Sequence, residues 1–484
     1  MSEQESLLTN DSSLLDDEDF FIKPIKKKKI VVLSDHPLAP SGVGVQARFL
    51  IEGLIKTGKY SFRCLGGAIK HANYDTIAVN PDFVIKPVDG FGNKDMLRSI
   101  LYAERPDGIL LFTDPRQFIW VWEMADEIRQ ICPITYWHVW DNDPYPKFNF
   151  PWYESTDLIN CLSHKTYELV KPNFPDKTHY IPHAFPKNVY FPIPQEQVNQ
   201  LRKQHFGDRA DWFKVLWVNR NATRKMPADL MDAWKMFLDK LEKEQGHRKA
   251  ILIMHTEPTD PEGPNLLAVS EQLGLQNNVW FSTQRLQFNE MNILHNITDS
   301  CVNISKNEGF GLSTMISMMC GKPIIALKTG GMTRQVVDHR DGTEHGVGLD
   351  PIKRSLVGSQ LVPFIYEDYC GTEDLAAAFR KIHDLTAEEK KVLAEKNIAY
   401  VDYEFNFDNI VKQWDETLEK TINNFKTNTK KKWKLKKIAA DFVSSQNKNS
   451  AQSSKSPVID SNLVNLEKNI RAGFTARKLE RKAK

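Results

Sequence analysis

The segment Glu308-Gly309-Phe310-Gly311 combines residue types and spacing that suit the binding of a phosphate group. It follows a predicted strand, Cys301–Ile304, and precedes a predicted helix, Ser313–Cys320. The two glycines let a ligand approach the backbone closely, and the start of the helix offers unpaired N–H groups with a partial positive charge. This order of elements suits a diphosphate. Glu308 can accept hydrogen bonds from the hydroxyl groups of a molecule that is attached to that diphosphate.

Further polar residues follow a predicted strand in the N-terminal half, Ile134–Val139. His138 lies at the end of that strand, where its side chain is expected to point into a ligand-binding cleft and to form hydrogen bonds or exchange a proton. Asp141 and Asp143 form an Asp-x-Asp pattern, which can hold a divalent cation against a diphosphate. Because Pro144 follows, an Asx-type turn explains the same pattern equally well.

These residues are positioned by an alternation of short apolar runs, glycine turns and helical segments, which predicts βαβ units and a parallel sheet. A stretch rich in proline, Pro182–Pro194, separates two such series and is predicted to be a connector. Two doubly wound α/β domains leave a cleft at the carboxyl ends of their strands, where ligands bind. Segments that define the alternation are the strands Ile30–Ser34, Gly108–Thr113, Lys214–Val218 and Ala250–His255, and the helices Val45–Lys56, Phe118–Ile131, Pro227–Glu242 and Ala387–Lys420.

The string from Glu308 to Leu312, followed by a Met-rich helix and Gly321-Lys322-Pro323-Ile324-Ile325, resembles the donor-site signature of the retaining glycosyltransferases of family four. The resemblance extends over roughly residues 30 to 420 and implies the GT-B fold, in which two Rossmann-like domains face each other across a cleft. Other segments that match the family in order are Ser41-Gly42-Val43-Gly44, Val218 to Pro227, Ile181-Pro182-His183 with Phe191-Pro192, and Thr329-Gly330-Gly331 with Val337-Asp338.

The resemblance implies a role for each matching residue in binding a nucleotide sugar, the donor. Arg220 and Lys225 match the cations that bind the diphosphate, and His138 matches a histidine that contacts the donor sugar near its reacting carbon. The candidate catalytic residues are therefore His138, Glu308, Arg220 and Lys225. The candidate donor-binding residues are Gly42, Gly44, Arg220, Lys225, Glu308, Gly309, Phe310, Gly311 and Leu312.

Two cations and a helix N-terminus can stabilise the charge of a departing nucleoside diphosphate without a metal. We therefore expect neither a metal nor another cofactor, and we interpret Asp141 to Asp143 as a turn. The chain departs from the family at Ile316, where a second glutamate usually holds the ribose of the nucleotide. An apolar side chain cannot accept hydrogen bonds from ribose hydroxyls, so the sequence leaves the nucleotide undefined.

Composition and charge indicate the cellular location of the protein and the surfaces that it could bind. The six cysteines are widely spaced without a zinc-ligand pattern, the start of the chain is acidic, and no stretch approaches the roughly 20 apolar residues of a membrane span. A cytoplasmic protein with reduced thiols is expected. Residues 426–484 hold 16 Lys and Arg against 4 Asp and Glu. Within them, Lys430–Lys437 suits an anionic membrane surface or a lipid-linked acceptor better than nucleic acid, and a solvated tail is an equal alternative.

The predicted organisation comprises five parts: a flexible acidic arm (1–27), an N-terminal Rossmann-like acceptor domain (28–195), a C-terminal Rossmann-like donor domain (196–385), helices that pack back across both domains (386–425) and a basic, disordered tail (426–484). The predicted activity is transfer of a sugar from a nucleoside-diphosphate sugar to an unidentified glycan, lipid or protein, with retention of anomeric configuration. Two alternatives are a catalytically silent sugar- or nucleotide-binding scaffold, which Ile316 motivates, and a GT-B nucleotide-sugar epimerase.

Overall fold

Uninterrupted apolar runs form the central strands because both faces of a parallel sheet are covered by helices. A computed structural model of the protein describes residues 26–427. Along the first strand, Ile30 and Val32 pack into one apolar core while Val31 and Leu33 pack into another on the opposite face. The predictions for the acidic arm and for the basic tail with Lys430–Lys437 lie outside the described residues, apart from residues 26, 27, 426 and 427.

The first sheet has eight strands in the order β3-β4-β2-β1-β5-β6-β7-β8, and all neighbours are parallel except β3 and β4. In the register of the sheet, Lys28 lies opposite Tyr60 and Ile30 lies opposite Gly108. The strands are β1 (Lys28–Asp35), β2 (Tyr60–Gly67), β3 (Ile77–Asn80), β4 (Phe83–Pro87), β5 (Gly108–Thr113), β6 (Ile134–His138), β7 (Leu158–Cys161) and β8 (Thr178–Tyr180).

The second sheet has six parallel strands in the order β11-β10-β9-β12-β13-β14. A separate antiparallel hairpin, β15 and β16, follows it. The strands are β9 (Phe213–Val218), β10 (Ala250–His255), β11 (Val279–Ser282), β12 (Ser300–Asn303), β13 (Ile324–Leu327), β14 (Gly346–Leu349), β15 (Lys353–Val357) and β16 (Ile365–Tyr369).

Helices connect successive strands, and several begin at the cleft-facing ends of the strands. They are α1 (Gly42–Lys56), α2 (Lys94–Glu104), α3 (Ile119–Trp122), α4 (Ala125–Ile128), α5 (Phe150–Glu154), α6 (His164–Val170), α7 (Gln195–Phe206), α8 (Pro227–Gln245), α9 (Leu266–Gln272), α10 (Phe288–Asn296), α11 (Leu312–Met319), α12 (Thr333–Val336), α13 (Thr372–His383), α14 (Ala387–Glu404) and a last helix, residues 407–427.

Both sheets reverse their strand order beside the first strand of the unit, β1 in one and β9 in the other. In doubly wound sheets the crevice outside the carboxyl ends at such a reversal is where ligands bind. The prediction of two doubly wound α/β domains is therefore confirmed. The loops after β1, β6, β9 and β12 lie at the carboxyl ends of the strands, where a ligand-binding site is expected.

Two predicted helices differ from the observed ones. The segment predicted as one helix, Phe118–Ile131, is divided into a 3-10 turn and the short helices α3 and α4. The predicted helix Ala387–Lys420 ends at Glu404, and another helix begins at residue 407. Asn406 causes this second break because its side chain accepts a hydrogen bond from the backbone N–H of Asn409, which starts a new helix.

The β15–β16 hairpin links the loop after β6 to the second sheet through a buried carboxylate. Asp368 accepts hydrogen bonds from Asn142 Nδ2 at 2.7 Å, from Thr329 Oγ1 at 2.7 Å and from Arg354 Nε at 2.6 Å. Asn142 belongs to the N-terminal domain. Thr329 follows β13 of the second sheet, and Arg354 and Asp368 belong to the hairpin. We call this set of four residues the Asp368 hub.

We expect Asp368→Asn to lower the free energy of unfolding by about 1–3 kcal/mol, because one neutral amide cannot accept from all three donors. Burial raises the pKa of Asp368, but the hydrogen bonds from Arg354, Thr329 and Asn142 outweigh it and leave the pKa below its usual range. A carboxylate of this kind stabilises the fold above its unfolded-state pKa and loses that contribution as the pH falls. Urea denaturation should therefore show a weaker acid dependence in the variant.

The matched control is Asp350→Asn, because Asp350 is 81% exposed and, among the residues that the structure describes, pairs with Lys328 alone. Its free energy of unfolding should change by no more than about 0.5 kcal/mol. Equal stability of the Asp368 variant and this control would contradict the structural role of the Asp368 hub.

Candidate active site

A cavity of about 570 Å³ lies between the two sheets, at the carboxyl ends of their strands. Its walls include the loops after β1 and β6 from the first sheet and the loops after β9, β11 and β12 from the second. Five basic side chains and two acidic ones line it, so the cavity favours an anionic ligand. The basic residues are Arg48, Arg220, Arg224, Lys225 and Arg285, and the acidic residues are Asp141 and Glu308.

The loop between β9 and α8 brings three of these cations to the cavity. It ends in a 3-10 turn, Thr223–Lys225, and Met226 adopts a left-handed conformation with φ of 51° before α8 begins at Pro227. Arg224 Nη1 donates to the carbonyl of Asn307 at 3.2 Å, and the backbone N–H of Lys306 donates to the carbonyl of Arg224 at 2.9 Å. The loop after β9 and the loop after β12 are thus bonded to each other.

Lys225 and Glu308 form a buried ion pair at the centre of this junction. Burial lowers the pKa of the Lys225 ammonium, and the charge of Glu308 partly opposes that effect. Burial raises the pKa of Glu308, but the charges of Lys225 and Arg224 outweigh it, so its pKa lies below the usual range. The pair places a basic side chain and a hydrogen-bond acceptor side by side in the cavity wall.

The loop Glu308–Gly311 is held by a second glycine loop after β13. The backbone N–H of Gly331 donates to the carbonyl of Glu308 at 2.9 Å, and Gln335 Nε2 donates to the carbonyl of Phe310 at 2.7 Å. A Cβ on Gly331 would lie 2.3 Å from the carbonyl oxygen of Gly309. This contact excludes a side chain, so glycine at 331 is required for the two loops to meet.

Two helix N-termini, one from each domain, open onto the same cavity. α11 begins after Gly311, which has a φ of 92°, and no side chain within residues 26–427 caps its first turn. α1 begins at Gly42, after the N-cap Ser41. A Cβ on Gly42 would lie 2.9 Å from Leu312 Cδ1, so the two helix starts approach closely. Together they offer backbone N–H groups and partial positive charge to an anion.

Most of the predicted donor-site residues therefore line one cavity. The structure brings Arg220, Lys225, Gly42, Glu308, Gly309, Phe310, Gly311 and Leu312 together in its walls. Gly44 lies one turn into α1, where its N–H donates to Ser41 Oγ at 3.0 Å and an added Cβ would lie 2.5 Å from the carbonyl of His36. Gly44 thus shapes the start of α1 behind the cavity wall.

His138 does not face the cavity, and this corrects the prediction of its orientation. It is buried, and its Nε2 lies 2.7 Å from Tyr153 Oη inside the first domain. Side chains alternate along a strand, so His138 shares a face with Tyr136, whereas Trp137 points to the opposite face. Burial lowers the pKa of His138 to about 3, so the imidazole is neutral at physiological pH.

Several residues of the cavity wall were not among the predicted site residues, and Asp141, Arg224 and His183 are three of them. Asp141 and Arg224 line the cavity with Arg224 Nη1 4.0 Å from Asp141 Oδ2, and His183 lies beside Phe310 with a ring-centroid distance of 5.0 Å. Burial lowers the pKa of His183 to about 3. Each carried a signal in the sequence: Asp141 in the Asp-x-Asp pattern, Arg224 beside Lys225, and His183 in the segment between the domains.

Ile316 also lines the cavity, one turn into α11. The surrounding wall is largely apolar, and the two carboxylates of the lining, Asp141 and Glu308, lie at the loops after β6 and β12. Ile316, which replaces the glutamate usual in the family, therefore contributes an apolar side chain to the cavity wall. Other residues of this apolar part are Tyr190, Leu286, Phe288 and Met291.

Two doubly wound domains that face each other across a cavity define the GT-B class of glycosyltransferase fold. Residues 200–347 match the model of the family described as glycosyl transferases group 1. This match covers most of the second sheet and the motifs around Glu308 and Arg220, where the sequence predicted a resemblance to such enzymes.

Solved structures share the fold over most of the described chain. HepE from Anabaena, in complex with UDP and glucose, has a TM-score of 0.59 and 18% identity, and the match covers 81% of this chain and 99% of that one. Sucrose-phosphate synthase from Thermosynechococcus elongatus has a TM-score of 0.63 and 15% identity, with 82% and 100% covered. At these identities the likeness establishes the fold alone.

Two curated relatives match part of the sequence. N-acetyl-alpha-D-glucosaminyl L-malate synthase of Bacillus anthracis is 24% identical over 192 residues, which are 39% of this chain and 45% of that protein. Mannosylfructose-phosphate synthase of Agrobacterium fabrum is 25% identical over 198 residues, which are 40% of this chain and 41% of that protein. The aligned region thus spans less than half the length of each relative.

We expect Gly331→Ala to lower the free energy of unfolding by about 1–3 kcal/mol, because its methyl group must displace the Gly309 carbonyl. Gly108→Ala is the matched control, since its nearest neighbour, Ile30 Cδ1, would be an ordinary 3.5 Å away. Urea denaturation of both variants checks the prediction. A Gly331 variant as stable as the Gly108 variant would show that the loop contact has room for a side chain.

Proposed function

We propose that this protein transfers a sugar from a nucleoside-diphosphate sugar to an acceptor bound in the same cleft. The observation that carries the proposal is the cavity itself, where Arg220, Arg224 and the start of α11 lie in the same wall as the Lys225–Glu308 pair. The diphosphate lies against the cations and the helix start, and Glu308 accepts hydrogen bonds from the sugar hydroxyls. HepE, which has the same fold, was solved with UDP and glucose and with UDP-glucose, and this supports a nucleotide sugar as the donor in our proposal.

In the proposed reaction, the bond between the anomeric carbon and the β-phosphate oxygen breaks, and its electron pair remains on the diphosphate. The acceptor oxygen bonds to the anomeric carbon, and its proton passes to the departing diphosphate. Arg220, Arg224 and Lys225 stabilise the negative charge that develops on the leaving group. Retention of configuration is part of the proposal and follows the resemblance to family four.

The test is an activity assay of the full chain with a panel of UDP-, GDP- and ADP-sugars, in which mass spectrometry follows release or transfer of the sugar. We expect at least one donor to be consumed, and Arg220→Ala to lower kcat/KM about 10- to 100-fold through loss of a charge-assisted hydrogen bond. Arg220 suits this test because it is 62% exposed and bonded to the rim residue Asp260, so its removal spares the core.

Arg98→Ala is the matched control, because Arg98 forms a similar two-pronged, exposed ion pair with Glu127 in the first domain, away from the cavity. It should leave kcat/KM unchanged. Nucleotide binding by calorimetry without turnover would instead indicate the silent scaffold, and conversion of the free nucleotide sugar without acceptor would indicate an epimerase. Absence of both binding and turnover contradicts the proposal.

We propose that the reaction requires no metal, because Arg220, Arg224, Lys225 and a helix N-terminus line the cavity that would hold the diphosphate. Among residues 26–427 no group of three or more His, Cys, Asp and Glu is arranged to hold a metal ion. Activity should therefore remain within about twofold after dialysis against EDTA, as expected where side chains supply the charge stabilisation. Loss of activity that Mn²⁺ or Mg²⁺ restores would refute metal independence.

The acceptor in this proposal is a glycan, lipid or protein that enters from the N-terminal domain side of the cleft. In the part of the chain that the structure describes, no helix is long and apolar enough to cross a membrane. We propose that the basic segment Lys430–Lys437 attracts an anionic membrane surface, on the grounds of its composition. A cytoplasmic location, peripheral to such a membrane, belongs to the same proposal and rests on the predicted reduced state of the cysteines.

A further inference from the structure

Asp141 places a carboxylate in the part of the cavity wall that the N-terminal domain contributes. Its side chain is 29% exposed, and its nearest charged neighbour is Arg224 Nη1 at 4.0 Å. Within residues 26–427 no donor forms a hydrogen bond with this carboxylate, in contrast to Glu308, which is paired with Lys225. A partly buried carboxylate without a hydrogen-bonded partner is costly unless a ligand supplies one.

The position of Asp141 relative to the loop Glu308–Gly311, which we call the donor loop, is defined by Gly309. A Cβ on Gly309 would lie 2.9 Å from Asp141 Oδ1, so the carboxylate lies directly against the backbone of the donor loop. Glu308 precedes that glycine and Arg224 flanks the same point. A sugar whose diphosphate lies on the cations and whose hydroxyls contact Glu308 therefore has Asp141 on its N-terminal domain side.

The backbone of Asp141 is fixed from both domains. A Cβ on Gly330 would lie 2.2 Å from the carbonyl oxygen of Asp141, which shows how tightly the loop after β13 packs against it. The next residue, Asn142, donates to Thr329 and Asp368 in the Asp368 hub. The carboxylate is thus held on rigid backbone, which a residue facing a reacting centre requires.

We infer that Asp141, rather than His138, is the catalytic residue with which the N-terminal domain faces the reacting sugar. The inference rests on the proposed glycosyl transfer. When the bond from the anomeric carbon to the diphosphate breaks ahead of the new bond, positive charge develops on the sugar ring. The Asp141 carboxylate stabilises that charge across the ring from Glu308 while the electron pair stays on the diphosphate.

The charges around Asp141 shift its pKa and therefore predict how kcat depends on pH. Burial raises the pKa of Asp141, Arg224 and Lys225 lower it, and Glu308 and Asp114 raise it, so the pKa lies above the usual range for aspartate. Glu308 is shifted in the opposite direction. Since only the ionised carboxylate stabilises the sugar cation, kcat should fall on the acid side at a higher pH than an ordinary aspartate would cause.

The experiment compares Asp141→Asn, Asp141→Glu and Asp143→Asn with the unmodified chain, using the donor found in the panel. We expect Asp141→Asn to lower kcat about 10²- to 10³-fold, the range for loss of one transition-state contact, and to lose the acid limb of the pH profile. Its Tm should not fall, and its Kd for the free nucleoside diphosphate should not rise, because the substitution removes a desolvated negative charge. Asp141→Glu keeps the charge and should recover part of kcat.

Asp143→Asn is the matched control, because Asp143 belongs to the same turn but pairs with Lys165 and Arg354 outside the cavity. It should retain full kcat. Near-normal kcat in Asp141→Asn, or equal losses in the Asn and Glu variants with unchanged Tm, overturns the inference while the unmodified chain remains active. Inactivity of the unmodified chain toward every donor overturns the proposed function instead.

Discussion

The candidate site depends on a crossing of three loops at which the backbone leaves no room for side chains. The donor loop after β12, the glycine loop after β13 and the loop after β6 meet there, and added Cβ atoms on Gly330 or Gly331 would lie 2.2 to 2.3 Å from backbone oxygens. Because β6 belongs to the first sheet and the other two strands to the second, this contact sets how closely the two domains approach. The Asp368 hub reinforces the same crossing with side-chain hydrogen bonds.

The electrostatics of the cavity follow from that close approach. Lys225 and Glu308 are buried together, and the charge of each partly offsets the effect of burial on the pKa of the other. Replacing water by a fixed ion pair costs desolvation energy when the chain folds, and the benefit is a polar environment that is already oriented when an anionic ligand arrives. Asp141 is the contrasting case, since it is desolvated by the same packing but lacks a hydrogen-bonded partner within the described residues.

The sequence predicted most of the fold because its signals are local. Apolar runs and glycine turns define the strands and their order, and the string from Glu308 to Leu312 carries its strand, turn and helix within a few residues. The β15–β16 hairpin had no such signal. Its role comes from Asp368 meeting Asn142, which is 226 residues away in the chain, and a contact of that kind leaves no periodic pattern. The break at Asn406 was missed because apolar positions continue at helical spacing on both sides of it.

The orientation of His138 shows why a site residue is harder to predict than the strand that carries it. A strand end can be located to within a residue or two, but a shift of one residue exchanges the two faces of a sheet. His138 falls on the face of Tyr136 and Tyr153, so burial keeps it neutral and bonded inside the domain. From the segment that follows β6, Val139 and Asp141 line the cavity. A motif match that aligns a histidine with this strand therefore identifies a loop that lines the cavity, although the histidine itself bonds inside the domain and the carboxylate of Asp141 lies in the cavity wall.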